Sequence, residues 1–334
     1  MKKLSLTLVC LFLLMGSFGA CEKSPDSTLI RVNEVTHSIF YAPMYLAEAL
    51  GYLKEADIRI ELTNGGGADN TMAAVLSGGA DVGFCGPEAA LYVAANGSAN
   101  APKVFGLLTK CDGSFLVSRK AEPDFTWESL RGKEILAGRK GGVPAMTFEY
   151  ILNQHGLYDG KDVTLNFDVA FNLMTGAFEA GTADYCTMFE PVASTYEKAG
   201  KGYIVASVGE ASGLIPYTAF MATPKWLEKN AEAAVDFLAA IAKAVSYTYT
   251  HTAKDLAKLL LPYFDGSEED SLVSAIDAYK KINAWEETVT MSEAALENLQ
   301  KVIANAGELP RKVAYAEMAT TEYSEKAYKQ ATTK

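Results

Sequence analysis

Short apolar segments alternate with helical patterns along most of the chain, and this alternation constrains the fold more than any other feature. Residues 29–35 alternate apolar and polar side chains as a strand does, and residues 43–53 repeat apolar side chains at helical spacing. Similar pairs follow as far as residue 221. Strands that alternate with helices form parallel sheets, because each helix returns the chain to start the next strand in the same direction. We therefore predict an α/β fold.

The order of these segments also predicts two lobes. A first group of strands ends near residue 117, a second group follows, and a strand at 217–221 returns to the first group before a largely helical tail. We assign residues 29–117 and 217–330 to a discontinuous first lobe and residues 118–216 to a second lobe. Two lobes joined by two crossings can close on a ligand by bending at a few residues.

A ligand site is predicted in the cleft between the lobes, because ligands of open α/β sheets bind beyond the carboxyl ends of the strands. Six loops follow predicted strands and should face this cleft: residues 36–42, 64–70, 85–88, 138–145, 171–175 and 189–192.

The N-terminal segment predicts export. Lys2 and Lys3 precede an almost wholly apolar run over residues 4–15, which is too short for a membrane anchor and is typical of a signal peptide over residues 1–20. The following Phe18-Gly19-Ala20-Cys21 resembles the bacterial lipobox, although Phe18 stands where Leu is usual. This resemblance implies a lipid on Cys21 and a location on the extracytoplasmic face of the cell membrane. Residues 21–28 would form a polar tether. An ordinary secretory signal with an incidental cysteine is the alternative.

Charge and cysteine content exclude several classes of function. The formal net charge is −11, and removal of residues 1–20, which hold two lysines and no acidic residue, leaves −13. Such a surface repels a polyphosphate backbone, so nucleic acid is excluded as a partner. The three histidines and five cysteines lack the spacing of metal-binding motifs, and Cys85, Cys111 and Cys186 lack the spacing of a disulfide framework. We predict neither metal nor cofactor.

Three segments resemble a known family. Residues 41–58 (YAPMYLAEALGYLKEADI), residues 64–67 (NGGG) and residues 76–83 (LSGGADVG) are similar to the substrate-binding lipoproteins of ABC importers. The nearest subgroup, NMT1-like, takes sulfonates, nitrate and pyrimidine precursors of thiamine. Leu53 replaces the usual Phe and Ala56 the usual Gly. The resemblance covers about residues 29–220. It implies a two-lobed periplasmic-binding-protein fold of type II, a small-molecule ligand, an ABC permease with its ATPase as partners, and a monomer.

A glycine-rich loop is one candidate ligand contact. Gly138-Arg139-Lys140-Gly141-Gly142 lies between a predicted strand and a helix, so backbone N–H groups of Gly141 and Gly142 converge with the positive helix end. Together with Arg139, they would stabilise an anionic or oxygen-rich group. A plain turn is the alternative, and the loop lacks the Walker pattern.

Two acidic residues and two loops supply further candidates. Glu190 and Glu88 each follow a strand, where a carboxylate can accept hydrogen bonds from an amino or amidine group; the alternative is that each merely starts a helix. The first cleft loop offers the imidazole of His37 and the ring of Tyr41, and aromatic faces suit a flat heterocycle. The remaining candidates, for stacking and an amide hydrogen bond, are Phe171 and Asn172.

These observations predict the extracytoplasmic solute-binding component of an ABC importer, which is not an enzyme and has no catalytic residues. The predicted ligand is a small nitrogen heterocycle, such as a pyrimidine precursor of thiamine, because Glu190 and the aromatic loop suit it. A sulfonate, taurine or nitrate is the alternative, because Arg139 and the glycine loop suit an anion. A pyrimidine-precursor synthase disagrees with the export signal, and no GxSxG pattern is present. A sensor domain of the same fold is a further alternative.

Overall fold

The computed structural model describes residues 27–333, so the predicted signal peptide, Cys21 and most of the predicted tether lie outside it. The chain forms two five-stranded sheets. The strands, in chain order, are β1 Thr28–Glu34, β2 Ile58–Asn64, β3 Val82–Cys85, β4 Lys103–Thr109, β5 Ser114–Ser118, β6 Glu134–Leu136, β7 Thr164–Asn166, β8 Tyr185–Phe189, β9 Tyr203–Ser207 and β10 Thr218–Ala222.

Helices cover both sheets. They are α1 Ala42–Ala49, α2 Tyr52–Glu55, α3 Ala68–Ser77, α4 Glu88–Ala95, α5 Val143–Gln154, α6 Met174–Glu179, α7 Val192–Lys198, α8 Val208–Ser212, α9 Pro224–Lys229, α10 Ala231–Thr250, α11 Ala253–Leu260, α12 Glu269–Lys281, α13 Glu293–Asn305, α14 Tyr315–Met318 and α15 Glu322–Thr332. Short 3-10 helices span Ile39–Tyr41, Trp127–Leu130, Phe171–Leu173 and Leu261–Tyr263. Within residues 27–333, none of the helices has the length and hydrophobicity required to cross a membrane.

Each sheet contains one strand that runs against the others. The first sheet has the order β2-β1-β3-β10-β4, and β10 is antiparallel to its two neighbours. The second has the order β7-β6-β8-β5-β9, and β5 is antiparallel to its two neighbours. Both reversed strands are the ones with which the chain enters a sheet from the other lobe. The crossings therefore lie on the side of each sheet where the parallel strands end.

The strand over residues 114–118 corrects one expectation. The sequence pattern predicts that residues 114–117 belong to the first lobe, but β5 pairs with β8 and β9 in the second sheet. Its apolar alternation could not reveal this, because alternation reports which faces are buried and not which neighbour supplies the hydrogen bonds. The first crossing is consequently short and consists of residues 110–113.

The two crossings lie side by side. The backbone N–H of Ile215 donates to the carbonyl of Lys110 at 2.9 Å, and that of Tyr217 donates to the carbonyl of Thr109 at 2.9 Å. Gly209 in α8 packs directly on the carbonyl oxygen of Asp112, where a Cβ atom would collide with it. The region that joins the lobes is thus closely packed against α8.

Gly209→Ala should destabilise the protein by about 1–3 kcal/mol, because the added methyl group meets rigid backbone at the crossing. The measurement is urea unfolding followed by circular dichroism. Gly176→Ala is the matched control: Gly176 also lies in a short helix, but apart from its chain neighbours and the backbone of that helix, no atom of residues 27–333 lies within 4 Å of the added carbon. Its effect should be within about 1 kcal/mol of zero or stabilising. Equal stabilities for the two variants would contradict the packing argument.

Candidate ligand-binding site

The carboxyl ends of the two sets of parallel strands face one another. β4 ends at Thr109 and β5 begins at Ser114, which pairs with Phe189 at the carboxyl end of β8. A link of residues 110–113 therefore holds the carboxyl end of β4 close to that of β8. The loops that follow β1, β3, β6 and β8 consequently meet between the lobes, as expected for the ligand cleft of an α/β sheet.

Glu88 lies between the lobes at the start of α4. Its side chain is buried, with 3% of its surface exposed, and its Oε1 accepts a hydrogen bond from the backbone N–H of Val143 in the second lobe at 3.4 Å. Within the described part of the chain, the buried Oε2 atom has no hydrogen-bond partner. The carboxyl group folds over Gly86, where a Cβ atom would collide with it. Glu88 thus joins the two lobes with one oxygen and keeps the other free.

Burial raises the pKa of Glu88 to about 7 because the charged form loses its hydration. The backbone N–H groups of Glu88 and Val143 and the charge of Arg139 oppose this shift, while the charge of Asp69 adds to it. Because these effects oppose one another, a new hydrogen-bond donor or a new charge nearby should shift the pKa of Glu88.

The glycine loop after β6 faces the first lobe. Gly138 and Gly141 have φ angles of +104° and +77°, a conformation that favours glycine, and Gly142 precedes the first residue of α5. The Arg139 guanidinium binds Asp69 in α3, with 3.0 Å between Nη1 and Oδ2. The hydroxyl of Tyr92 donates to the carbonyl oxygen of Gly141 at 3.1 Å. The loop predicted to bind a ligand is therefore also the contact surface between the lobes.

Aromatic rings form the floor of the cleft. The Phe40 ring lies 6.0 Å from that of Phe189, 5.9 Å from that of Tyr217 and 4.7 Å from that of Tyr279, measured between centroids. Tyr41 packs edge-on against Phe84, and burial raises its pKa. These residues come from the first lobe, the end of β8, the second crossing and α12. Their rings are packed mainly against one another.

A second buried carboxyl group lies in the first crossing. Asp112 has no exposed surface, and its Oδ1 accepts hydrogen bonds at 2.6 Å from both the backbone N–H and the hydroxyl of Ser114. Among residues 27–333, neither its Oδ2 nor the Tyr217 hydroxyl has a well-aligned hydrogen-bond partner. The two groups are nevertheless close enough for each to shift the pKa of the other. Burial raises the pKa of Asp112 to about 6, against the effect of Ser114.

Glu190 stabilises the start of a helix, which is the alternative to ligand binding given above for this residue. It is as buried as Glu88, with 3% exposed, but its two oxygens accept from Ser194, at 3.0 Å from the backbone N–H and at 2.6 Å from the hydroxyl. Glu190 therefore caps the start of α7 and offers a ligand little hydrogen-bonding capacity. Its own backbone N–H donates to the Tyr279 hydroxyl at 3.0 Å.

His37 also binds within its own lobe. Its Nδ1 lies 2.9 Å from Glu34 Oε1 and its Nε2 lies 2.8 Å from the carbonyl oxygen of Tyr263. Both nitrogens thus face acceptors, which suits the doubly protonated ring. The hydrogen bond to Glu34 raises the pKa of His37, as does the Tyr263 carbonyl, and burial acts in the opposite direction.

Of the remaining candidates, Phe171 and Asn172 begin the 3-10 helix Phe171–Leu173, where Asn172 is exposed.

Four residues of the interlobe region are not indicated by the sequence pattern as candidates: Asp69, Tyr92, Asp112 and Tyr217. Asp69 lies in a loop expected to face the cleft, so its position was available from the pattern. The other three lacked any such signal, because their importance follows from contacts with distant parts of the chain. Among residues 27–333, no group of His, Cys, Asp and Glu side chains is arranged to hold a metal ion.

The raised pKa of His37 predicts a pH-dependent stability. The folded chain binds this proton more tightly than the unfolded chain, so the stabilisation is complete below the ordinary pKa of 6.5 and is lost as the pH rises through the folded-state pKa. His37→Gln should lower the free energy of unfolding more at about pH 5.5 than at about pH 8.5. Urea titrations at the two pH values measure this difference. An equal loss at both values would contradict the proposed proton linkage.

Comparisons with known proteins agree with this architecture. The alkanesulfonate-binding protein SsuA from Xanthomonas axonopodis pv. citri, solved with bound MOPS, has a TM-score of 0.71 at 17% identity, over 89% of this chain and 100% of that chain. The periplasmic nitrate-binding protein NrtA from Synechocystis PCC 6803 has a TM-score of 0.72 at 14% identity, over 92% of this chain and 90% of that chain. The predicted α/β periplasmic-binding-protein fold is therefore confirmed.

Sequence comparison identifies the family. The chain is 41% identical over 313 residues to the Bacillus subtilis (strain 168) protein named "Putative binding protein YtlA", and the match spans 94% of each chain. A family model described as "NMT1/THI5 like" matches residues 39–254. The chain therefore belongs to the NMT1/THI5-like family.

Proposed function

We propose that this chain is the solute-binding component of an ABC importer, that it is held on the extracytoplasmic face of the cell membrane by a lipid on Cys21, and that it delivers a small ligand to the permease and its ATPase. The family, the two-lobed fold and the export signal support this function. A binding protein needs no catalytic group, and the proposal includes none. It acts as a monomer, because one chain supplies both walls of the cleft.

The proposed ligand is a small nitrogen heterocycle that carries an amino group, such as a pyrimidine precursor of thiamine. The observation that carries this proposal is the buried, unpartnered Oε2 of Glu88 between the lobes. A buried acceptor without a partner costs free energy, and a ligand N–H group would remove that cost. The hydrogen bond would also be charge-assisted, which makes it stronger than a neutral one.

The floor of the cleft supports the same class of ligand. The rings of Phe40, Phe189 and Tyr217 lie 5.9 to 6.3 Å from one another, measured between centroids, and would border a ring bound between the lobes. A flat heterocycle packs well on such faces, whereas a small anion such as nitrate gains little from them.

A sulfonate or nitrate is the second candidate. The loop over residues 138–142 and Arg139 favour it, as do the names of the solved relatives, but those proteins share less than a fifth of their residues with this chain. A pyrimidine-precursor synthase and a sensor domain are less consistent with the N-terminal export pattern.

The ligand class is tested by calorimetric titration of the mature chain in detergent with formylaminopyrimidine and with taurine. Formylaminopyrimidine should bind, and Glu88→Gln should weaken that binding at least about tenfold, since a charge-assisted hydrogen bond is lost. Glu190→Gln is the matched control: the residue is equally buried, and the change should lower the melting temperature while it leaves the dissociation constant unchanged. Tight binding of taurine alone would overturn the proposed ligand class.

Binding should also move protons in a direction that depends on the ligand. A donor on Oε2 favours the charged carboxylate and lowers the pKa of Glu88 from about 7, so at pH 7 binding should release on the order of half a proton. An anion would raise this pKa and cause proton uptake. Titrations in two buffers of different ionisation enthalpy measure the number of protons. Uptake, or no exchange that depends on Glu88, would contradict a donor at this site.

The anchor is tested on the N-terminal peptide. Mass spectrometry of membrane-derived protein should find a mature chain that begins with lipid-modified Cys21. Cys21→Ser should abolish the modification and move the protein to the soluble extracytoplasmic fraction. An unmodified N-terminus in the membrane-derived protein would show that the chain has an ordinary secretory signal.

A further inference from the structure

The two features of the second lobe that suit an anion are each paired with a carboxylate of the first lobe. The Arg139 guanidinium binds Asp69 at 3.0 Å, and the first backbone N–H of α5, that of Val143, donates to Glu88 at 3.4 Å. α5 spans Val143–Gln154, so its N-terminus carries a full helix dipole. A third pair, Lys140 and Glu308, lies at 4.0 Å beside them.

We infer that Asp69 and Glu88 are specificity-determining residues that exclude anionic ligands from the cleft, and that they confine binding to neutral or cationic ligands with hydrogen-bond donors. This inference deepens the proposed function and rests on it for the location of the site. Nothing in a glycine-rich loop followed by a helix would by itself reject an anion. The rejection comes from the opposite lobe.

The physical basis is repulsion between like charges, which is strongest at the buried Glu88 because solvent screening is weak there. An anion at the start of α5 would meet the carboxylate of Glu88, which is almost fully buried and already holds the N–H group that the anion needs. An anion at Arg139 would have to compete with Asp69 for the guanidinium. Discrimination between ligands commonly depends on such repulsive groups as much as on attractive ones. The same two carboxylates attract a ligand with amino groups.

The unpartnered oxygen of Glu88 makes this arrangement more than an interlobe contact. A carboxylate that served only to hold the lobes together could satisfy both oxygens within the chain, as Glu190 does with Ser194. Glu88 instead keeps Oε2 unpartnered among the described residues and buried in the cleft. A donor ligand satisfies this atom while Glu88 keeps its charge, whereas an anion is repelled unless Glu88 first takes up a proton.

The test is a gain of function. The mature chain in detergent is titrated with ethanesulfonate and with nitrate, which carry negative charge and no amino group. Asp69→Asn combined with Glu88→Gln should bind ethanesulfonate at least about tenfold more tightly than the unmodified chain, because two repulsive charges are lost. The same double variant should bind formylaminopyrimidine at least about tenfold more weakly.

Two further variants keep the test decisive. Asp124→Asn combined with Glu287→Gln removes two negative charges from exposed positions outside the cleft, and its affinity for ethanesulfonate should equal that of the unmodified chain. Asp69→Asn alone changes a side chain that is 64% exposed, so the fold should persist, and ethanesulfonate binding should tighten about threefold.

The outcomes separate this inference from the proposed function. Formylaminopyrimidine binding to the unmodified chain, with no gain of anion binding in either the double variant or Asp69→Asn, would overturn the exclusion and leave the proposed ligand intact. Tight ethanesulfonate binding to the unmodified chain would overturn both. A gain of anion binding in the double variant, with no heterocycle binding to the unmodified chain, would support the exclusion and overturn the proposed ligand class.

Discussion

A short link between two sheets determines where everything else in this molecule lies. Residues 110–113 connect β4 to β5, and β5 runs against the other strands of its sheet. A link of this length cannot reach from one end of a sheet to the far end of another. The carboxyl ends of the two sets of parallel strands must therefore face each other. The cleft, its glycine loop and its aromatic floor all follow from that constraint.

Two carboxylates at the cleft, Glu88 and Glu190, are equally buried but have different hydrogen-bond partners. Glu88 and Glu190 have the same exposure; Glu88 is the first residue of α4, and Glu190 lies between β8 and α7. Glu190 is satisfied within one helical turn by Ser194, so it stabilises its own lobe. Glu88 reaches the opposite lobe with one oxygen, and its other oxygen has no hydrogen-bond partner among the described residues. Burial alone therefore does not distinguish Glu88 from Glu190, whereas their hydrogen-bond partners do.

Much of this could be predicted from the sequence, for identifiable reasons. The alternation between strand-like and helix-like spacing of apolar residues predicted most strands and helices within a few residues. The loops expected at the cleft include the segments that carry Glu88, Asp69 and Arg139. The cap formed by Glu190 was available as well, since Glu190 and Ser194 are spaced by one helical turn. Two features lacked a local signal. The sheet to which β5 belongs and the partners of His37 depend on segments far away in the chain.

The sequence by itself determined the class of fold, the family and the kinds of side chain that a cleft would contain, and it predicts an export signal. These properties are local, because periodicity, cap residues and short motifs act over one or two turns of chain. Only the tertiary structure decided which carboxylate keeps an unpartnered oxygen and which cation is neutralised. Glu88 and Val143 are 55 positions apart, and Asp69 and Arg139 are 70 apart. Contacts at such separations arise from the packing of one lobe on the other, which no local pattern encodes.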